Sequence, residues 1–95
     1  MKQPAIYIIS NIHNTTLYIG VTSNLPQRIY QHKEKLIGKF SSKYNLTKLV
    51  YFELFDDMEN AIVREKRLKQ WHRKWKNRLI TESNPNWSDL YPEII

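Results

Sequence analysis

Apolar positions along the chain first alternate and then recur every three to four residues. Residues 5–12 (AIYIISNI) are β-branched and aromatic over a length suited to a strand, and His13-Asn14-Thr15-Thr16 behind them are turn formers. Residues 17–22 resume the alternation, with Leu17, Ile19 and Val21 on one face and Tyr18 and Gly20 on the other. Tyr18 therefore shares its face with a position that has no side chain. Glycine inside a strand costs stability and often marks a bulge or a close approach to the backbone. Two strands joined by a tight turn bring opposed residues to about 5 Å on a common face, so Tyr7 and Tyr18 are placed to meet.

The period then changes to that of a helix. Asn24 is an N-cap with Pro26 tolerable in the first turn, and Leu25, Ile29, His32 and Leu36 form an inward stripe. Arg28 and His32 lie one turn apart and project together from the edge of that stripe. His32 is open to two readings, a packed and hydrogen-bonded side chain or a catalytic one. Residues 37–48 form a basic connection with Gly38, Phe40 and Tyr44, which either lines a nucleic-acid groove or is a polar loop anchored by its two aromatics. Residues 49–55 (LVYFELF) make a third strand, apolar enough to be buried on much of both faces.

Asp56 or Asp57 caps the next helix, with Glu59 in its first turn. At 100° per residue, Met58, Ala61, Leu68, Trp75 and Leu79 fall in one arc, and Glu65 falls inside it. An ionised carboxylate on an inward stripe needs a salt bridge, hydrogen bonds or a metal. A helix unbroken to residue 81 is long for a small domain, so a break is expected near residues 71–74. Trp71, Trp75 and Trp87 read as core and tail anchors, and a turn at Asn84-Pro85-Asn86 starts a tail pinned by Trp87, Leu90 and Tyr91.

Composition sharpens this picture. The 95 residues make one domain. With no cysteine, disulfides and thiolate-held zinc are excluded. There is no apolar run of the roughly 18–20 residues that a membrane span needs, and a cytoplasmic setting is expected. The net charge is +6, and its distribution is uneven: eight of the 15 Lys and Arg lie in residues 64–78 and six in residues 28–48, with none after Arg78. The asymmetry suggests a basic face toward a phosphate-rich partner, with solvated surface lysines as the plain alternative. Lys33, Lys35, Lys39, Lys43, Arg64, Arg67, Lys69 and Arg73 are the candidate contacts.

Ala5-Ile6-Tyr7, then Tyr18-Ile19-Gly20-Val21-Thr22 with Asn24-Leu25, Arg28 and His32, and finally Glu65, come in the order and spacing of a known family. The chain resembles the GIY-YIG endonuclease superfamily, in particular its small stand-alone single-domain bacterial members, over nearly its whole length. Two features depart from the pattern. Ala5 stands where the name motif has glycine, and no single residue among Asn77, Asn84 and Asn86 aligns with the asparagine the family often carries. The resemblance implies an α/β (α+β) fold, a three-stranded antiparallel sheet flanked by helices. It implies catalytic roles for Tyr7, Tyr18, Arg28, His32 and Glu65, and one divalent cation, Mg²⁺ or Mn²⁺, held chiefly by Glu65.

By the same analogy a tyrosine, Tyr7 or Tyr18, activates or orients the attacking water, Arg28 stabilises the phosphate, and His32 supports a tyrosine or the nucleophile. A phenol with an ordinary pKa near 10 needs a cation to act as a base, whereas an imidazole titrates close to neutrality, so either group is a candidate base. The expected partner is DNA, or RNA, in a repair or recombination setting, with no membrane. With no room for a recognition domain, selection is expected to rest on substrate structure or on a partner protein. The rival readings are a non-catalytic nucleic-acid-binding module and a basic interaction protein.

Overall fold

The computed structural model describes residues 3–95. The first β-branched run pairs on both of its edges: β1 (Ala5–Ser10) lies between β2 (Leu17–Thr22) and β3 (Lys48–Leu54), and both pairings are antiparallel. Every residue of β1 is buried, as befits a central strand covered on both faces. Its strand is two residues shorter than its apolar run. Asn11 turns the chain by accepting from the amides of Thr15 (2.9 Å) and Thr16 (3.0 Å), with Asn14 in the left-handed region at φ 58°, and this leaves Ile12 in solvent.

The two faces of the sheet bury different sets of side chains. Ala5, Tyr7 and Ile9 pack with Leu25 and Ile29 of α1 (Leu25–Lys33) and with Leu46 and Leu49. Ile6, Ile8, Ile19 and Val50 pack with Ala61 and Leu68 of α3 (Met58–Gln70) and Ile80 of α4 (Arg73–Ser83). A bulge in β3 sets Ile8 opposite Tyr51 and Ile9 opposite Leu49, so Val50 is the extra residue.

Helix boundaries follow the expected chemistry. The Asn24 side chain accepts from the Gln27 amide at 3.3 Å, and Asp57 from the Asn60 amide at 2.8 Å. The break between α3 and α4 falls at Trp71 and His72, both with extended backbone. Three expectations are corrected. Leu36 is not part of the inward stripe, because α1 ends at Lys33 and Lys35 turns left-handed (φ 57°), leaving Leu36 65% exposed. Trp75 is 55% exposed, because the break resets the phase of α4 relative to α3. The connection over residues 37–48 is not a polar loop anchored by its two aromatics, since it folds one short helix, α2 (Lys39–Lys43), and leaves Phe40 and Tyr44 largely exposed. Trp71 and Trp87 do pack against the core.

The tail returns across the sheet. Asn84 is buried and donates to the carbonyls of Val50 (3.0 Å) and Ser88 (2.9 Å), while accepting from the Ser88 amide (3.1 Å). Asp89 accepts from the Leu49 amide (3.1 Å), the Leu90 amide donates to the Leu49 carbonyl (2.7 Å), and Leu90, Tyr91 and Ile94 close the α1 side of the core. Among the described residues no helix is long and apolar enough to cross a membrane.

Asn84→Ala strands the Val50 carbonyl inside the fold, which costs about 1–3 kcal/mol. Urea unfolding of this variant is expected to show that loss with an unchanged m-value. A midpoint equal to wild type would mean the tail is not held through this side chain.

Candidate active site

Alternation puts Tyr7 and Gly20 directly opposite each other across the β1–β2 ladder, on the α1 face. The Tyr7 ring occupies the space where a side chain would stand: a Cβ on Gly20 would lie 2.3 Å from the Tyr7 hydroxyl. The missing side chain in β2 thus makes room for Tyr7. Tyr18, diagonal to it on the same face, has its ring centre 6.4 Å away.

The buried Tyr7 hydroxyl meets His32 Nε2 at 2.8 Å. His32 projects from the last turn of α1, and its Nδ1 lies 3.0 Å from Ser41 Oγ in α2. Ser41 Oγ donates to the Gly38 carbonyl at 3.2 Å. A hydroxyl has one proton, so Ser41 must accept from His32, which puts the imidazole proton on Nδ1 and leaves Nε2 as the acceptor for Tyr7. The order of donation is Tyr7 to His32 to Ser41 to Gly38. Gly38 sits at φ 73°, a conformation that favours glycine and aims its carbonyl at Ser41.

Burial pushes the Tyr7 phenol up to about 12, against the nearby Arg28 guanidinium, while Tyr18 and the Glu65 charge push it the same way as burial. Burial, aided by the Arg28 charge, lowers His32 to about 4. At neutral pH both groups are uncharged, and the guanidinium of half-buried Arg28 is the cation beside them.

Glu65 comes from α3, which packs across β2, the edge strand. Its side chain is 12% exposed and is paired with Lys69 of the next turn at 2.7 Å. Lys69 Nζ in turn stands 5.7 Å from the centre of the Tyr18 ring. The five predicted residues Tyr7, Tyr18, Arg28, His32 and Glu65 therefore gather at one place, where β2 ends the sheet. Among the described residues no three His, Asp or Glu side chains converge, so the site is no all-protein metal cage. One shielded carboxylate beside phenols fits a hard cation that keeps most of its water and shares oxygens with a substrate, as Mg²⁺ does.

The predicted phosphate contacts divide. Lys33 is drawn into the fold, donating to the Thr47 carbonyl at 2.8 Å and pairing with Asp89. Arg64 forms a fork with Glu53, two bonds of 2.9 Å, beneath which Trp71 lies 5.4 Å away. Burial pushes the Glu53 carboxyl up, but Arg64 and Tyr51 bound to it leave it below the usual carboxylate range. Arg73 clamps the hairpin turn through the carbonyls of Asn14 (2.8 Å) and Thr15 (3.0 Å). Lys35 bonds Asn45 at 2.6 Å. Lys39, Lys43 and Arg67 remain exposed, and Lys69 belongs to the site itself. Asn77 bonds Arg73 at 2.8 Å and Asn84 holds the tail.

Ser41 is not among the residues the sequence nominates, and Lys69 is nominated there as a phosphate contact rather than as the partner of Glu65. The i, i+4 spacing of Glu65 and Lys69 is a signal for their pairing. Ser41 has none, because its distance to His32 depends on how the chain turns through Gly38.

A model of the GIY-YIG catalytic domain matches residues 3–79. The chain belongs to the GIY-YIG superfamily of nucleases. It is 34% identical to the UPF0213 protein CPE1444 of Clostridium perfringens over 94% of this chain and 95% of that one. It is 31% identical to a UPF0213 protein of Syntrophus aciditrophicus over 87% of this chain and 95% of the relative. The solution structure of the UPF0213 protein BH0048 from Bacillus halodurans shares the fold, with a TM-score of 0.58 and 22% identity over 94% of this chain and 93% of that one. This chain spans nearly the whole length of both relatives.

Because the His32 pKa is below its unfolded value of 6.5, the unfolded chain binds a proton between about pH 6.5 and 4 that the native chain does not. Stability contributed by the neutral ring is fully present above pH 6.5 and is lost as pH falls toward 4, by on the order of 2–3 kcal/mol. Denaturant titrations across this window are expected to show that fall, and His32→Gln to remove most of it. An imidazole resonance of His32 titrating near 6.5 by NMR would contradict the buried neutral tautomer.

Proposed function

We propose that this chain is a divalent-metal-dependent endonuclease that hydrolyses phosphodiester bonds in DNA and selects substrate structure rather than sequence. The observation that supports it most is the directed hydrogen-bond chain Tyr7–His32–Ser41 beside Arg28, with the Glu65 carboxylate at the same sheet edge. A core needs no such chain of three polar side chains, whereas moving a proton from an attacking water does.

Tyr7 holds its proton against His32 Nε2, so a proton taken up at the phenol oxygen from water can be matched by one passed on to the imidazole. The Arg28 guanidinium offers the phosphate a fork of donors that cannot be deprotonated. An anion bound there also offsets the positive charge that depresses His32, so the imidazole gains proton affinity when substrate is present. Ser41 holds the resting imidazole proton on Nδ1, so Nε2 is open to receive the proton that Tyr7 passes on. Tyr18 forms the wall between this relay and the Glu65–Lys69 pair. A Mg²⁺ or Mn²⁺ ion held by Glu65 would supply positive charge for the non-bridging and leaving oxygens.

The test is cleavage of labelled single-stranded, duplex, nicked, flapped and branched DNA with Mg²⁺, Mn²⁺ or EDTA. Wild type should cut only with metal, and Glu65→Gln and Arg28→Ala should each lower the rate by about 100-fold or more. Binding without cutting on every substrate would favour a non-catalytic nucleic-acid module, and cutting that survives Glu65→Gln would remove Glu65 as the metal ligand.

Ser41→Ala frees the imidazole to take the other tautomer. It should slow cleavage about tenfold and change the pH–rate profile. An unchanged profile would show that the tautomer is held by something else.

A further inference from the structure

Two aromatic rings beside the candidate site are left largely in water. Phe40 of α2 and Tyr44, the residue that caps the end of α2, are 47% and 43% exposed, their ring centres 4.8 Å apart and inclined by 49°. They sit at i and i+4, one above the other on the same face of the helix. Phe40 continues inward to Tyr18, 6.4 Å away, so the row runs from the catalytic tyrosines out to solvent. Their exposure is enforced. Ser41, between them in sequence, is buried and bonded to His32, which fixes the rotation of α2 and keeps the neighbouring rings turned outward.

The charge around the rings completes the pattern. Lys39 and Lys43 flank them, and Lys43 Nζ stands 5.5 Å from the centre of the Tyr44 ring. Exposed rings interleaved with lysines suit a nucleotide strand, because every base has a face to stack and every linkage a phosphate to pair. In a duplex those faces are already covered by neighbouring base pairs. A ledge of this kind therefore discriminates in favour of unpaired nucleotides.

We propose that Phe40 and Tyr44 form a stacking ledge for an unpaired base of single-stranded DNA, with Lys39 and Lys43 taking the adjoining phosphates. The strand then runs along the aromatic row and presents the next linkage to Arg28 and Glu65. The placement beside a scissile bond rests on the nuclease reading above, while the preference for unpaired DNA does not.

The experiment measures binding in a protein that does not cut. Glu65→Gln in EDTA is titrated against a fluorescein-labelled thymidine 12-mer and against a duplex of equal length, at one fixed salt concentration, by anisotropy. The single strand should bind more tightly. Adding Phe40→Leu and Tyr44→Leu together should weaken single-strand binding roughly 5- to 150-fold and duplex binding less than twofold. Phe40→Trp, which keeps a π face, should retain or improve single-strand binding. A 2-aminopurine base walked along the strand should be quenched at one position by the parent and not by the double variant.

Equal affinity for the two DNAs, or a folded double variant that binds single strands as tightly as its parent, overturns the proposal. So does an equal loss on both DNAs. If the double variant fails to fold by circular dichroism, Phe40→Trp with the 2-aminopurine scan decides, and quenching spread evenly along the strand counts against the ledge. A wild type that binds single strands through the ledge yet cuts nothing with metal refutes the nuclease reading and leaves the ledge standing.

Discussion

A phenol buried in the middle of a sheet needs a partner, and that need organises this molecule. The Tyr7 ring fits only because Gly20 has no side chain, and its hydroxyl is satisfied only because α1 delivers His32 to 2.8 Å. His32 in turn is satisfied at its far nitrogen by Ser41, and Ser41 by the carbonyl of a left-handed glycine. Each bond contributes about 1 kcal/mol when made, but each group left unpaired at this depth costs about 1–3 kcal/mol. The chain therefore behaves as a unit, and it locks the rotation of α2 as well as the tautomer of the imidazole.

The two faces of the sheet divide the labour. On one, α1 and α2 frame the Tyr7–His32–Ser41 hydrogen bonds; on the other, α3 and α4 pack against aliphatic residues. Glu65 belongs to the second layer and reaches the first only because β2 is an edge strand, around which α3 can present a side chain. The basic residues are divided in the same way. Arg64, Arg73 and Lys33 spend their charge on Glu53, the hairpin carbonyls and Asp89, and so hold helices and tail to the sheet. Lys39, Lys43 and Arg67 stay in solvent.

Much of this was legible in the sequence where a single period governs. Alternation put Tyr7, Tyr18 and Gly20 on one face, and the helical projection put Glu65 on an inward stripe of α3. Reading failed where one element's phase was carried past its end. Trp75 was extrapolated through a break that resets the helix, and Leu36 through a left-handed residue that stops one. Ser41 was missed for a different reason. Its contact with His32 is tertiary, set by the turn at Gly38, and no spacing along the chain encodes it. The paired state of Lys33 and Arg64 was hidden likewise, since their partners lie 56 and 11 residues away.

The family match stops at residue 79, but the hydrophobic interior does not. Ile80 is wholly enclosed, Asn84 serves the carbonyl of the bulged Val50, and Asp89 and Leu90 dock on Leu49 while Leu90, Tyr91 and Ile94 finish the layer that supports α1. The stretch that matches the family model and the stretch that closes the core are therefore different lengths of chain. A fragment cut at the edge of the matched part would keep every residue of the candidate site and lose the floor beneath the helix that carries Arg28 and His32.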